Sequence, residues 1–577
     1  TYTLKSSNAY ANQPHYEIEL EMDNDTMENS EYKHLTPKSL IGMMKQCVRM
    51  VLSGLQDTPY PVSYSEQEQV YRDYMSLIHG AIENATHKRS KYPEPNDFIG
   101  PQSISLQQYN LYNENDVQLY NEQNKSTYRS VIQNYMVTEK ADGQRALLYI
   151  STKGKMYMIN SQMKVIFTGS VTNEQKCFNS LLDGEFIMSG KENQLLFLYA
   201  AFDIYYIGSR KDPHVRNFAF YPDNADDLDE NSIDKTQYRL LLLQTFVNML
   251  HPKPVAKTPH ESCLFRVQSK QFCTGNTIFE ACKNVLSLKD SHPYETDGLI
   301  LTPTNTGVGS DKAQQSGPLK KHTWNLSFKW KPPEYNTIDF YVITEKDKTN
   351  NKDTINYLIH DSDNTMTQSI AYKTLYLHVG FNKKTDEKEE GIFQRVLEDK
   401  VGHEEVHYDE DNSNYVPRLF KPTTPYDPEA YICYIPLDEQ MRMKTIPVEK
   451  NGTPEVFEDL TIVEFRYGQV HELKEGAWRW IPIRVRHDKT SVLRSSTGKD
   501  YGNAFKTANS NWRSIHYPVT ENIISGYEDV QPISAEDDVY YDLQEKNSKH
   551  TRSLKDFHNK FVKYMLINKI AHYLQEN

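Results

Sequence analysis

At 577 residues the chain is too long for one hydrophobic core and should divide into roughly three or four domains. Its 78 acidic against 65 basic residues give a net charge of −13. That excludes a surface built as a whole to attract nucleic acid, so any polyanion has to be met by a local basic groove. Cys47, Cys177, Cys263, Cys273, Cys282 and Cys433 are scattered without CxxC or His-paired spacing, which argues against a disulfide framework or structural zinc and for reduced thiols in cytoplasm.

The sequence begins at Thr1 rather than Met, shows neither a signal nor a transit peptide, and reads as trimmed at its start. HYEIELEMD (15–23) alternates polar and apolar residues, which predicts a strand with Glu17, Glu19 and Glu21 on one face. TPKSLIGMMKQCVRMVLSGL (36–55) opens with an N-cap and a proline at the first helical position, and keeps apolar residues at helical spacing. KRSKYPEPNDFIGPQS (88–103) is turn-rich and reads as a linker or entry loop. From about 104 to 340 short β-type runs alternate with helical ones, an α+β pattern. Within it RLLLLQTFVNML (239–250) is too short and too polar at its ends to span a bilayer; its spacing suits a buried helix, and no membrane segment is expected. Polar, insertion-like loops at 344–357 and 382–391 then interleave with the β-type runs TLYLHVGF (374–381) and AYICYIPL (430–437), which predicts a small all-β domain. TRSLKDFHNKFVKYMLINKIAHYL (551–574) reads as an amphipathic helix, and there is no internal repeat.

The stretch VTEKADGQRALLYI (137–150) carries the first chemical signal. RALLYI is a strand by its alternation, with KADG in the turn before it. Lys140 and Asp142 could be exposed turn residues, with Gly143 supplying a positive φ. Yet K-x-D-G-x-R has four fixed positions and recurs by chance about once in 10⁵ windows. A lysine is a nucleophile toward phosphorus only when neutral, so it needs neighbouring cations or desolvation. LSFKWKPP (326–333) supplies Lys329 and Lys331 at i, i+2 on one face of a strand that Pro332 and Pro333 end. Leaving-group charge and a metal call for carboxylates. LLDGEF (181–186) brings Asp183 and Glu185, and YETDGLILTP (294–303) brings Glu295 and Asp297, although each D-G step taken singly reads as a hairpin turn.

Taken in order, KADGQR, LLDGEF, LYAAFDIYYI (198–207), ETDGLIL, SFKWKPP and WRWIPIRVRHDKT (478–490) resemble the covalent nucleotidyltransferase superfamily of mRNA capping guanylyltransferases and ATP- or NAD-dependent ligases. R-x-D-K, here Arg486, Asp488 and Lys489, looks like capping enzymes rather than DNA ligases, and FKWKPPEYNTIDF (328–340) points the same way. The resemblance extends to the multifunctional capping enzymes of large cytoplasmic DNA viruses of poxvirus and asfarvirus type, through YGNAFKTANSNWRSIHYPVT (501–520) and LKDFHNKFVKYMLINKI (554–570).

The resemblance implies an α+β, ligase-like nucleotidyltransferase core, unrelated to ATP-grasp, with antiparallel sheets and helices, followed by an OB-fold β-barrel. Residues 1–30 would hold the terminal strand of an incomplete RNA triphosphatase tunnel barrel, with Glu17 and Glu19 as remnant metal ligands, and 31–103 a helical segment and linker. The core would span 104–340, the OB-fold domain 341–495 and a segment returning to the core 496–530. A linker and helix at 531–577 would lead toward an absent methyltransferase. Lys140 would attack the α-phosphorus of GTP, with Lys329 and Lys331 against the α-phosphate. Arg145 and Glu185 would hold the ribose and Phe202 would stack on the base. Glu139 would also contact GTP, and Arg266 and Lys270 would lie near the guanine or the phosphates, both balanced against plain surface charge. Asp297 and Glu185 would carry Mg²⁺ or Mn²⁺. Arg486, Asp488 and Lys489 would orient the leaving phosphates when the OB domain closes. The implied partners are GTP, the 5′ end of nascent mRNA, a methyltransferase-stimulating subunit and the viral RNA polymerase, and the implied location is host cytoplasm, virus factory or virion. An ATP-dependent nucleic-acid ligase and a non-catalytic docking platform are the other classes compatible with these residues.

Overall fold

The structure is a computed structural model that describes residues 2–4, 16–18, 20, 36–56, 58–80, 93–113, 115, 117–118, 128–222, 234–255, 265–361, 367–383, 386, 415–423, 425–446, 453–468, 476–494 and 500–530. The amphipathic stretch expected at 551–574, most of the loop at 382–391, and Glu19 and Glu21 lie outside the described residues. The chain divides into two compact units. One takes 1–106, 131–332 and 520–529; the other takes 107–130, 333–519 and 530–577.

In the first unit, β1 (Tyr2–Leu4) and β2 (Tyr16–Ile18) form an antiparallel pair, so the strand expected over 15–23 is described only at its start, with Glu17 inside it. Helix α1 (Pro37–Gln56) begins as its sequence dictates: the Thr36 hydroxyl accepts from Ser39 N at 3.2 Å, and Pro37 fills the first turn, where an N–H is not needed. Its apolar residues are nevertheless exposed, Met50 by 72% and Ile41 by 56%. Helix α2 (Tyr64–His79) is capped by Ser63, whose hydroxyl accepts from Glu66 N at 3.2 Å.

Two sheets frame the rest. The larger has the order β10 (Lys253–Pro254), β7 (Val165–Val171), β6 (Lys155–Asn160), β5 (Gln144–Ile150), β8 (Ser180–Ser189), β9 (Leu195–Tyr206) and β11 (Arg266–Ser269), antiparallel except for the parallel β9–β11 edge. The smaller has the order β3 (Gln102–Ser105), β13 (Thr323–Trp330), β12 (Thr296–Pro303) and β4 (Tyr135–Ala141). Alternation along β5 explains why RALLYI is apolar throughout. Leu147 and Tyr149 join Val70, Tyr74 and Ile78 of α2 in one core. Ala146, Leu148 and Ile150 join Leu240, Leu243, Phe246 and Leu250 in another. Those four lie on α3 (Arg239–Leu250), the buried helix expected from its spacing. Helix α4 (Ile278–Ser287) is capped by Thr277. No described helix is long and apolar enough to cross a membrane.

Three local readings need correction. Lys140 lies on β4 rather than in the turn, which is reduced to Asp142 and Gly143 between β4 and β5. Both D-G steps lie inside strands, β8 and β12: Asp183 and Gly184 are paired on both sides, whereas Asp297 and Gly298 form a bulge between the paired residues Thr296 and Leu299. Gly143 is not among the residues with positive φ. Its role is close approach: a Cβ there would sit 2.7 Å from Glu185 Cγ and 2.8 Å from the Phe186 carbonyl.

The second unit is built on a sheet ordered β15 (Asn356–Asp361), β16 (Thr367–Asn382), β14 (Thr337–Thr344), β21 (Thr461–Tyr467) and β22 (Trp480–Val485), with β17 (Tyr415–Leu419) and β18 (Ile432–Pro436) also paired to β16. A separate ribbon joins β19 (Met443–Lys444) to β20 (Val456–Phe457). Helix α5 (His487–Arg494) follows β22, and α6 (Phe505–His516) inserts Phe505, Ala508 and Trp512 into a core shared with Phe340, Phe420, Phe465 and Trp480. Residues 520–529, with α7 (Glu521–Ile524), belong to the first unit. Cys47, Cys177, Cys273, Cys282 and Cys433 are free thiols.

Candidate active site

In the first unit β4 and β12 pair antiparallel, with Leu299 opposite Glu139 and Thr296 opposite Ala141. The register slips between those pairs, so Asp297 and Gly298 sit on a bulge beside Lys140. There the Asp297 carboxylate bridges two lysines, with Oδ1 2.6 Å from Lys140 Nζ and Oδ2 2.7 Å from Lys331 Nζ. Burial alone would raise this carboxyl, but the charges and hydrogen bonds of Lys140 and Lys331 hold it below the usual aspartate value. Gly298 makes the approach possible, since at φ 148° a Cβ would lie 1.9 Å from the Trp330 carbonyl oxygen. Lys329 stands opposite Ile300 and Ser105, two residues before Lys331 and therefore on the same side of the strand.

Arg145 projects from β5 and is fully committed. Its Nη2 lies 2.5 Å from Asp183 Oδ2 and its Nε 3.1 Å from Oδ1, a bidentate fork, while Nη1 donates to the Pro101 carbonyl at 2.6 Å. The guanidinium lies 5.8 Å from the Phe98 ring and 5.4 Å from the Phe202 ring. Asp183 also accepts from the Tyr205 hydroxyl and its side chain is fully buried, so it braces Arg145. Glu185, two residues along β8, is pushed above the usual glutamate value by burial, against the pull of Lys270, Lys140 and Arg145.

A second buried cluster flanks Lys140. Lys270 Nζ donates to the Glu139 carbonyl at 2.8 Å and lies 3.2 Å from Glu139 Oε1, with both side chains about 5% exposed or less. The Tyr294 hydroxyl donates to Oε1 at 2.9 Å and the Thr138 hydroxyl to Oε2 at 2.8 Å. Burial would raise Glu139, but Lys270 and the two hydroxyls hold it below its usual value. Arg266 donates to the Leu196 carbonyl at 3.1 Å. The first unit therefore brings together Lys140, Lys331 and Asp297, and beside them Glu139 with Lys270 and Arg145 with Phe202. Asp183 was named from sequence as a carboxylate but not as the brace of Arg145, and Tyr294, Thr138 and Phe98 were not assigned.

The remaining predicted cations lie in the second unit. Arg486 donates to Asp339 and forms a fork with Asp488 at 3.1 and 3.0 Å, while Lys489 Nζ lies 2.8 Å from Asp339. Asp339, only 4% exposed on β14, thus gathers two of the three R-x-D-K residues. Its place in an otherwise apolar TIDFYV run was a signal that sequence reading passed over.

No group of three or more His, Cys, Asp or Glu side chains among the described residues could cage a metal ion. Asp297 and Glu185 as oxygen donors suit a Mg²⁺-type ion that keeps waters and shares phosphate oxygens, rather than an all-protein site.

Residues 68–221 match the family model described as mRNA capping enzyme, catalytic domain. Over that segment the chain is similar to the catalytic domain of mRNA capping enzymes. The matched segment includes Lys140, Arg145, Glu185 and Phe202. A probable mRNA-capping enzyme of Acanthamoeba polyphaga mimivirus is 25% identical over 94% of this chain and 42% of its own length. The mRNA-capping enzyme of African swine fever virus (isolate Pig/Kenya/KEN-50/1950) is 24% identical over 67% of this chain and 34% of its own. The chain thus spans less than half the length of these relatives. A solved structure named Pmar-Lig_PreS3 aligns with a TM-score of 0.25 and 13% identity over 63% of this chain and 67% of that one, too weak a likeness to carry the fold.

Proposed function

We propose that the chain is an mRNA guanylyltransferase that transfers GMP from GTP, through a lysyl-N-GMP intermediate on Lys140, to the 5′-diphosphate end of RNA. The observation that carries this reading is the Lys140–Asp297–Lys331 cluster, at 2.6 and 2.7 Å, with Lys140 inside the segment that matches the capping-enzyme family model. In the first step Lys140 Nζ leaves Asp297, gives up a proton and attacks the α-phosphorus. An N–P bond forms, the bond to the bridging oxygen breaks, and pyrophosphate departs. In the second step a terminal oxygen of the RNA diphosphate attacks the same phosphorus, the N–P bond breaks, and Lys140 regains a proton. Lys331 and Lys329 stabilise charge developing on the phosphoryl oxygens. Arg145, immobilised by Asp183, and Glu185 hold the ribose, Phe202 offers a stacking face, and the Glu139–Lys270 pair contacts the base.

Mg²⁺ or Mn²⁺, held by Asp297 with Glu185 nearby, would supply charge neutralisation at the phosphates. Arg486, Asp488 and Lys489, in a unit we read as OB-type, would orient the departing phosphates. We further place this activity within a larger viral capping enzyme of the cytoplasm, with RNA triphosphatase and guanine-N7 methyltransferase parts, β2 being the triphosphatase remnant. A stimulating subunit and the viral RNA polymerase would be its partners.

The test is incubation with α-labelled GTP or ATP plus Mg²⁺ or Mn²⁺. Covalent label from GTP that survives denaturation and alkali, is released by acid as a P–N bond requires, and is abolished by Lys140→Ala supports the proposal. Label from ATP alone would replace it with a ligase, and no label from either would leave a docking platform.

A further inference from the structure

Arg216 lies outside the candidate active site and is fully buried. Nε, Nη1 and Nη2 have no carboxylate or carbonyl partner among the described residues, and the Tyr206 hydroxyl lies against the guanidinium. Arg239, equally buried, is by contrast paired at two of its three nitrogens: its Nε lies 2.9 Å from Asp203 Oδ1 and its Nη1 donates to the carbonyls of Phe218 and Thr306, while Nη2 has no partner among the described residues. The acids nearby are committed elsewhere. Asp203 serves Arg239, Asp183 serves Arg145 and Tyr205, and Asp97 accepts from the Tyr71 hydroxyl at 2.8 Å and from Glu94 N at 3.0 Å. An isolated cation in a low-dielectric interior costs several kcal/mol, about as much as a small domain has to spare.

The guanidinium cannot swing out to water, because its backbone is fixed. The Arg216 carbonyl accepts from Val308 N at 2.8 Å, Val215 N donates to the Tyr205 carbonyl at 3.1 Å, and the side chain lies over the Tyr205 ring at 5.4 Å. Two further polar atoms beside it are also buried without a carboxylate partner among the described residues: the Tyr206 hydroxyl and His214 Nδ1, on rings that meet edge-on at 5.2 Å. Burial raises the Tyr206 phenol above its usual value while Arg216 pulls it back, and burial together with Arg216 holds His214 below the usual imidazole value. One positive charge thus acts on both groups, and each can offer a proton to an acceptor, His214 in its Nδ1–H tautomer.

We propose that Arg216, the Tyr206 hydroxyl and His214 Nδ1–H form a buried site for a small monovalent anion, chloride under cellular conditions. Ordered water would satisfy the donors but leave the charge uncompensated, whereas a halide does both. Tyr74, Tyr205, Tyr206 and Val308, each no more than 1% exposed, close the site off from bulk water. The ion would tie together the end of β9, helix α2 through Tyr74, and the 306–308 segment, and so act on stability without touching Lys140.

An ion that binds only the folded chain raises its melting temperature. Melting is measured at equal ionic strength in chloride, bromide or gluconate, the last being too large to enter. The full chain should melt several degrees higher in chloride and bromide than in gluconate, Tyr206→Phe should show a smaller difference and Arg216→Met none. Equal melting of the unaltered chain in all three salts, or an undiminished difference in Arg216→Met, overturns the proposal. Should Arg216→Met fail to fold, crystals of the unaltered chain grown in bromide decide: an anomalous peak within contact of Arg216 supports the site, and density there without anomalous signal means water and sinks it.

Discussion

Asp297 Oδ1 lies 2.6 Å from Lys140 Nζ, so in the ligand-free chain the proposed nucleophile is held by the carboxylate proposed to help carry the metal. The same carboxylate holds Lys331 at 2.7 Å. Freeing Lys140 and occupying Asp297 are therefore one event. Asp297→Asn keeps the shape but loses the charge that organises both lysines. It should lower the rate of covalent GMP labelling by about 10²-fold or more, the scale set by losing a preorganised electrostatic group. The rate of label formation at saturating GTP is the measurement, and an unchanged rate would remove Asp297 from the chemistry.

Arg145 and Asp183 make a different use of charge. The Asp183 side chain is fully buried, and Asp183→Ala leaves the Arg145 guanidinium without its carboxylate. Breaking such a pair from one side typically costs about 3–5 kcal/mol. Urea unfolding should show a midpoint shift of that order in the first unit. Arg145→Lys, which keeps the charge but loses the fork, should raise the KM for GTP more than it lowers the melting temperature.

How much of this was readable beforehand depended on sequence distance. Local signals held: the Thr36–Pro37 start of α1, the amphipathic spacing of α3 and the β5 alternation are all set within a few residues. The D-G steps misled because a dipeptide preference for turns yields to tertiary pairing, which holds Asp183–Gly184 on both sides and turns Asp297–Gly298 into a bulge within β12. Gly143 was correctly a required glycine for the wrong reason, crowding against Glu185 rather than a positive φ. Likewise the collinear motifs named Lys140, Lys331 and Asp297, which the structure brings together, but not the braces around the predicted site. Asp183 is 38 residues from Arg145, Tyr294 is 155 from Glu139, and Asp339 is 147 from Arg486. Nor did helical spacing reveal that the apolar side of α1 is exposed, since periodicity reports a stripe and not what covers it.

Gly298 offers a test of the strand geometry itself. Its φ of 148° and the 1.9 Å approach to the Trp330 carbonyl leave no room for a methyl group. Gly298→Ala must push β12 from β13 and move Asp297 away from Lys331. A cost of about 3 kcal/mol is expected from strain and overpacking together. GMP labelling should fall with it, whereas Gly42→Ala, where a Cβ meets nothing within 4 Å, should leave both unchanged.

Asp339 is expected to organise the R-x-D-K cations rather than touch nucleotide. It is 4% exposed and holds both Arg486 and Lys489. Asp339→Ala should destabilise the second unit by about 3–5 kcal/mol, because two cations lose a buried partner. Asp339→Asn, which keeps hydrogen-bonding capacity, should recover part of that stability but not the rate of label formation. Recovery of both would make the residue merely structural.

The Glu139–Lys270 pair predicts a pH dependence with a definite sign. Glu139 has an ordinary value of 4.5 and is held below it in the fold, so its contribution to stability is complete above about pH 4.5. It fades as the pH falls through the lower folded value, where the carboxylate takes up the proton and Lys270 loses its partner. Glu139→Gln should therefore be less stable than the unaltered chain at neutral pH, and the difference should shrink on acidification, read as urea midpoints at a series of pH values. Tyr294→Phe removes one donor to the same carboxylate and should cost about 1 kcal/mol. If the pair contacts the base, that variant should also raise the KM for GTP with little change in kcat. A Tyr294→Phe enzyme with lowered kcat and unchanged KM would instead point to the neighbouring Asp297 segment.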